Sequence, residues 1–68
     1  MNSQELQRLL TKKRTLLGYT HQEVADSLGL GITRQYYGMI EKGERRPSVN
    51  VAKRIGELLG IKWTIFFD

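Results

Sequence analysis

The sequence predicts an all-α fold, a compact bundle of about five short helices, and three observations carry that expectation. No segment alternates apolar and polar residues with period two for long enough to make a paired strand. Capping residues recur at close spacing, most of them followed by an apolar stripe of helical period and a glycine stop. Third, there is no cysteine among the 68 residues, which removes disulfides and thiolate metal sites. Packed helices or a partner chain must then supply the stability. The length suits one small core, and residues 1–68 read as one domain.

The first helix is expected from Ser3 to about Leu17, capped by Asn2 with Glu5 completing a capping box. Leu6, Leu9, Leu10 and Leu17 share its broad apolar face, and Gly18 ends it. Lys13 interrupts that face and is expected to snorkel. Thr20 caps a second helix, again with a glutamate, Glu23, three residues on, and Val24, Ala25 and Leu28 form its buried stripe. Gly29-Leu30-Gly31 cannot continue it. Thr33 caps a third helix, Arg34 to Lys42, with Tyr37 and Ile40 facing inward and Gly43 as its stop. After the polar loop Glu44-Arg45-Arg46-Pro47, Ser48 caps a fourth helix that packs through Val49, Ala52, Ile55 and Leu59. A last turn, Trp63 to Phe67, is mostly aromatic and aliphatic, with Ile61 and Phe67 expected to close the core.

Eleven basic residues against seven acidic ones leave a charge of +4, a weak footprint for a polyanionic partner. No apolar run approaches the ~20 residues that span a bilayer, and no basic segment leads into an apolar stretch at the amino terminus. Neither a membrane association nor a signal peptide is expected, and a cytoplasmic location fits the absence of cysteine. His21 is the sole histidine, with no second ligand for a metal and no serine in a nucleophile arrangement with it. No catalytic residue, cofactor or small-molecule ligand is expected.

The informative stretch is Thr20 to Gly43: capped helix, short turn, capped helix, glycine stop. A helix-turn-helix needs a small residue where its helices cross, a glycine at the turn and apolar residues inside its second helix. Ala25, Gly29 and the pair Tyr37 and Ile40 meet those needs. With Thr20-His21-Gln22-Glu23-Val24-Ala25, Ile40-Glu41-Lys42-Gly43-Glu44-Arg45-Arg46-Pro47-Ser48 and Leu59 to Phe67, the chain resembles the Cro and repressor type of helix-turn-helix domains, the XRE-like, lambda-repressor-like group found in phage repressors and small bacterial regulators. The resemblance runs from about Leu6 to Phe67. Three departures stand out. The turn carries two extra residues within Gly29 to Ile32, His21 stands where the family often has glutamine, and Lys13 replaces a small or apolar residue.

The resemblance implies a sequence-specific regulator that lays helix 33–42 in the major groove of double-stranded DNA. A repressor working as a homodimer on a palindromic operator is the form expected. Exposed residues at the start of a groove-docked helix reach base edges first, which selects Arg34 and Gln35. Gly38 and Met39 lie near the same face, the former allowing close approach and the latter able to meet a thymine methyl. Phosphate contacts are expected from Thr20, His21, Gln22, Thr33 and Tyr36, from Lys42, Arg45 and Arg46 beyond the helix, and at the helix start capped by Ser48. Lys12, Lys13 and Arg14 form a second basic cluster, while Lys53 and Arg54 are weaker candidates. Surplus apolar surface on Trp63, Ile65 and Phe66 suggests the dimer contact. The competing reading is a protein-interaction module whose groove face is idle, because fold does not fix function.

Overall fold

The computed structural model describes all residues, Met1–Asp68. Four α-helices and one short 3-10 helix follow each other without a strand: α1 (Ser3–Leu16), α2 (His21–Leu28), α3 (Arg34–Glu41), α4 (Val49–Leu59) and the terminal 3-10 turn Trp63–Phe67. Each α-helix begins on the expected cap. The side chains of Asn2, Thr20, Thr33 and Ser48 accept from the backbone nitrogens of Glu5, Glu23, Tyr36 and Val51. In α1 and α2 the glutamate also returns the bond, at 3.3 Å from Asn2 N and 2.9 Å from Thr20 N. These bonds satisfy donors that the first helical turn leaves orphaned.

One core joins the helices. Leu10 of α1, Val24, Ala25 and Leu28 of α2, Tyr37 and Ile40 of α3, Val51, Ala52, Ile55 and Leu59 of α4 and Phe66 are buried together. Tyr37 and Ile40 are fully buried, as their spacing along α3 predicts. Ala25 is buried where α2 and α3 pack. Arg54 donates to the carbonyl of Leu28 at 3.4 Å, which serves an orphan acceptor at the end of α2 and leaves that arginine an internal role.

Three apolar assignments need correction. Leu17 does not join the core: α1 ends one residue earlier, and Leu17 as its C-cap is half exposed while Tyr19 packs inward instead. Val49 sits in the first turn at the edge of the α4 stripe and stays exposed, and Val51 takes the buried place. In the terminal turn the order is reversed from expectation. Phe66 is 6% exposed and closes the core, whereas Phe67 faces out at 37%. Ile61, Trp63 and Ile65 pack half-buried against the core.

The terminal turn rests on α4 at Gly56. The carbonyl of Gly56 accepts from the backbone nitrogens of Gly60 and Ile61 at 2.9 and 3.0 Å. A Cβ at this glycine would stand 2.8 Å from the Ile61 carbonyl oxygen and 3.2 Å from Trp63 Cβ. The need for glycine here is therefore steric.

Glu41, at the end of α3, is only 3% exposed and charged. Thr11 Oγ1 donates to its Oε1 at 2.6 Å, Arg14 Nε to Oε2 at 3.0 Å and Arg14 Nη2 to Oε1 at 3.2 Å. His21 Nε2 lies 3.0 Å from Oε2. Arg14 Nη1 also donates to the Tyr19 carbonyl at 2.9 Å. One carboxylate thus ties α1 and the start of α2 to the end of α3. Burial pushes the Glu41 carboxyl up, but bonds from Arg14 and Thr11, with Arg14 and His21 as positive neighbours, outweigh it and hold the group below its ordinary range. The buried hydroxyl of Tyr37 makes no hydrogen bond within the chain. Burial and the Glu41 charge push the Tyr37 phenol well above its usual range.

Two measurements check this arrangement. Glu41→Gln leaves the Arg14 charge unbalanced and is expected to destabilise the domain by about 3 kcal/mol, read as a fall in the urea midpoint. Because the folded Glu41 value is depressed, its contribution is complete above about pH 4.3 and fades as pH falls through the folded value; the variant's stability should be flatter across that acid window. Gly56→Ala should cost about 1–3 kcal/mol through overpacking, with Trp63 fluorescence shifting as the terminal turn lifts.

Candidate nucleic-acid interface

The face opposite the core on α3 starts at Thr33 and ends in the basic loop after Gly43. Thr33 Oγ1 accepts from Tyr36 N at 3.1 Å, which fixes the first turn and leaves the next two side chains, Arg34 and Gln35, exposed. Neither makes a hydrogen bond or ion pair within the chain. Inward, Tyr37, Ile40 and Glu41 are buried, so the rotation of this eight-residue helix about its axis is set by the core. Tyr36, Gly38 and Met39 are half-buried on the flanks. Around Gly38 nothing approaches within 4 Å of where a Cβ would stand, and its φ is not positive. No internal packing or backbone need requires glycine at that helical position, where it weakens the helix by about 0.5–1 kcal/mol relative to alanine.

At the far end, backbone bonds fold the loop back on the helix. Gly43 N donates to the Ile40 carbonyl at 3.1 Å, and Glu44 N and Arg45 N both donate to that of Met39, at 2.9 and 3.3 Å. Gly43 adopts φ +79, and a Cβ there would stand 3.0 Å from Ser3 Cβ. Lys42, Arg45 and Arg46 are thereby held beside the end of α3, all exposed. The Arg45 guanidinium lies 5.5 Å over the Tyr36 ring, and that of Arg46 lies 5.8 Å over Phe67. Stacking orients both without neutralising them.

The start of α2 differs from expectation. His21 directs Nε2 to Glu41 and its ring lies 5.8 Å from that of Tyr37, so this nitrogen is occupied inside the fold. Gln22 Nε2 donates to Asp26 Oδ1 at 2.9 Å. Thr20 Oγ1 and Ser48 Oγ are accepting as caps, each keeping a hydroxyl hydrogen to donate outward. In the second basic cluster Arg14 is taken by Glu41, its side chain 14% exposed. Lys53 places its ammonium 5.2 Å over the Trp63 ring, an intramolecular contact of the same kind. Of the residues expected to reach an outside partner, Arg34, Gln35, Lys42, Arg45 and Arg46 are exposed with no hydrogen bond or ion pair from their side chains, while the exposed Thr20, Gln22, Thr33 and Ser48 are engaged as caps or, for Gln22, with Asp26.

The helix-turn-helix family pattern matches residues 10–66, which takes in α2, the turn and α3 as well as the packing helices. The chain belongs to the helix-turn-helix family. This helix-turn-helix protein is 51% identical over 63 residues to YqaF, an HTH-type transcriptional regulator of Bacillus subtilis, covering 93% of this chain and 80% of the relative. It is 42% identical over 52 residues to YonR, an SPbeta prophage-derived HTH-type transcriptional regulator of the same organism, covering 76% of this chain but 46% of that protein. An HTH-type transcriptional regulator of Methanothermobacter thermautotrophicus is 38% identical over 55 residues, 81% of this chain and 77% of its own length. No solved structure matches the chain. No helix is long and apolar enough to cross a membrane.

A substitution at Gly38 tests stability and DNA binding separately. Gly38→Ala is expected to raise stability by about 0.5–1 kcal/mol in urea unfolding. If this face meets a groove, the same variant binds duplex DNA more weakly; unchanged affinity would show that α3 does not make a close approach there.

Proposed function

We propose that the protein is a sequence-specific, double-stranded-DNA-binding transcriptional regulator that lays α3 in the major groove. The observation that carries this reading is the division of α3 itself. Its inner side is fixed by Tyr37, Ile40 and Glu41, while Arg34 and Gln35 project unpaired from its first turn. Arginine suits guanine and glutamine suits adenine by bidentate hydrogen bonding, worth about 1–3 kcal/mol of discrimination each. Gly38 permits close approach, with Met39 beside it on the groove side. Lys42, Arg45 and Arg46, with the hydroxyls of Thr20, Thr33 and Ser48 and the phenol of Tyr36, anchor the phosphate backbone without reading it. His21 and Gln22 have internal partners and contribute through position more than through contact. The names of the three relatives, each an HTH-type transcriptional regulator, support the same role.

The form proposed is a repressor acting as a homodimer on a palindromic operator. With Phe66 spent in the core, the two-fold contact uses the outer surfaces of Trp63, Ile65 and Phe67, where Trp63 and Phe67 already stack edge to face at 6.0 Å. Two recognition helices would then sit about 34–36 Å apart, one turn of DNA.

Selection of binders from a random duplex pool tests the reading. Enrichment of a palindrome with half-site centres about 10 base pairs apart is the expected result. No enrichment at low salt, or affinity indifferent to salt, overturns it in favour of a protein partner. On the selected site, Arg34→Ala should cost about 1–3 kcal/mol and relax one base position. Arg46→Ala should weaken all sequences alike and make the salt slope shallower by about 0.9 for each phosphate that is no longer neutralised.

A further inference from the structure

The turn between α2 and α3 contains a residue that the fold does not explain. Gly29, Leu30 and Gly31 all have positive φ, at +65, +60 and +72, and Leu30 is the sole non-glycine residue in the chain with this conformation. Leucine is disfavoured there because its Cβ crowds the backbone, whereas glycine or asparagine adopts it readily. Leu30 is also 57% exposed and takes no part in the hydrophobic core. On either side, Cβ atoms built at Gly29 and Gly31 would meet nothing within 4 Å, so open space flanks Leu30 at both glycines. The bond that closes the turn, Ile32 N donating to the Gly29 carbonyl at 3.1 Å, requires this backbone but not a leucine side chain, so the strain and the exposed apolar surface both count against leucine at this position. Such outliers gather where a residue faces a partner.

We propose that Leu30 is a specificity-determining residue that reads a thymine methyl group in the major groove, an inference that rests on the DNA-binding role above. Its place at the amino end of α3 brings it ahead of Thr33 and Arg34. Four residues of chain span at most about 14 Å and base pairs are about 3.4 Å apart, so its contact falls within about four base pairs of the one read by Arg34. Thymine alone among the bases offers a methyl group to the major groove, and an apolar side chain is what meets it. One leucine flanked by bare glycines is far smaller than the apolar patches that dock proteins, and it matches a single methyl in size.

The test uses a duplex recovered by the selection, with each thymine replaced in turn by deoxyuridine, which lacks only the methyl. The unmodified protein should lose about fourfold in affinity at one position per half-site, the worth of one buried carbon. Leu30→Gly and Leu30→Asn both suit the left-handed backbone, so their melting temperatures should equal or exceed that of the parent. Both should bind the thymine duplex as weakly as the parent binds the uracil duplex, and uracil at that position should make no further difference. Full retention of the thymine preference in both variants overturns the inference while leaving the DNA-binding role intact. Indifference of the parent to every substitution overturns it in the same way, and failure of the parent to bind any duplex overturns both readings.

Discussion

The carboxylate of Glu41, buried at the junction of three helices, sets the geometry on which the outer face depends. It draws Thr11 and Arg14 from α1 and His21 from α2 onto the end of α3. Removing a charge from water is expensive, and such a group is retained only when its oxygens are fully bonded. That condition is geometrically strict. Apolar contacts tolerate small slides of one helix along another, whereas a carboxylate with four bonds does not. The cluster therefore specifies a position for α3 as well as contributing to its attachment.

A helix of eight residues is too short to persist alone in water. Its existence depends on the Thr33 cap at one end, on Tyr37 and Ile40 in the middle, and on Glu41 with the folded-back loop at the other. The same contacts aim Arg34 and Gln35 outward and hold Lys42, Arg45 and Arg46 beside the helix end. The residues proposed as readers and anchors are thus carried on one packed unit. Pre-organisation of this kind favours affinity because fewer side chains must lose freedom at the moment of contact.

Local stability is surrendered at two points on this surface. Gly38 weakens α3 without a packing need, and Leu30 occupies a backbone conformation better suited to glycine. At the helix starts and along most of the apolar stripes local preference and tertiary packing agree: each α-helix has its cap, and each buried stripe meets another. Departures from that agreement concentrate on the side of the molecule proposed to face DNA, as expected where a contact outside the chain supplies the missing compensation. By contrast Gly56, also a helical glycine, is explained from within by the close approach of Ile61 and Trp63.

Most of what short-range physics decides was legible along the chain. The caps Asn2, Thr20, Thr33 and Ser48, the glycine stops at Gly18 and Gly43, and the inward register of Tyr37 and Ile40 are each settled by bonds or periodicities within a few residues. The open positions of Arg34, Gln35, Arg45 and Arg46 were legible for the same reason. The role of Glu41 emerges only in three dimensions, because its partners Thr11 and Arg14 lie 30 and 27 residues away and carry no local signature. Folding also turned His21 and Arg14 inward, since a buried carboxylate claims the nearest donors before solvent or a phosphate can. The exchange of Phe66 for Phe67 has a similar origin. A 3-10 turn places successive side chains about 120° apart, and which of two adjacent phenylalanines enters the core is settled by how the turn seats on Gly56. Sequence spacing sees one helix at a time, and these residues answer to two or three at once.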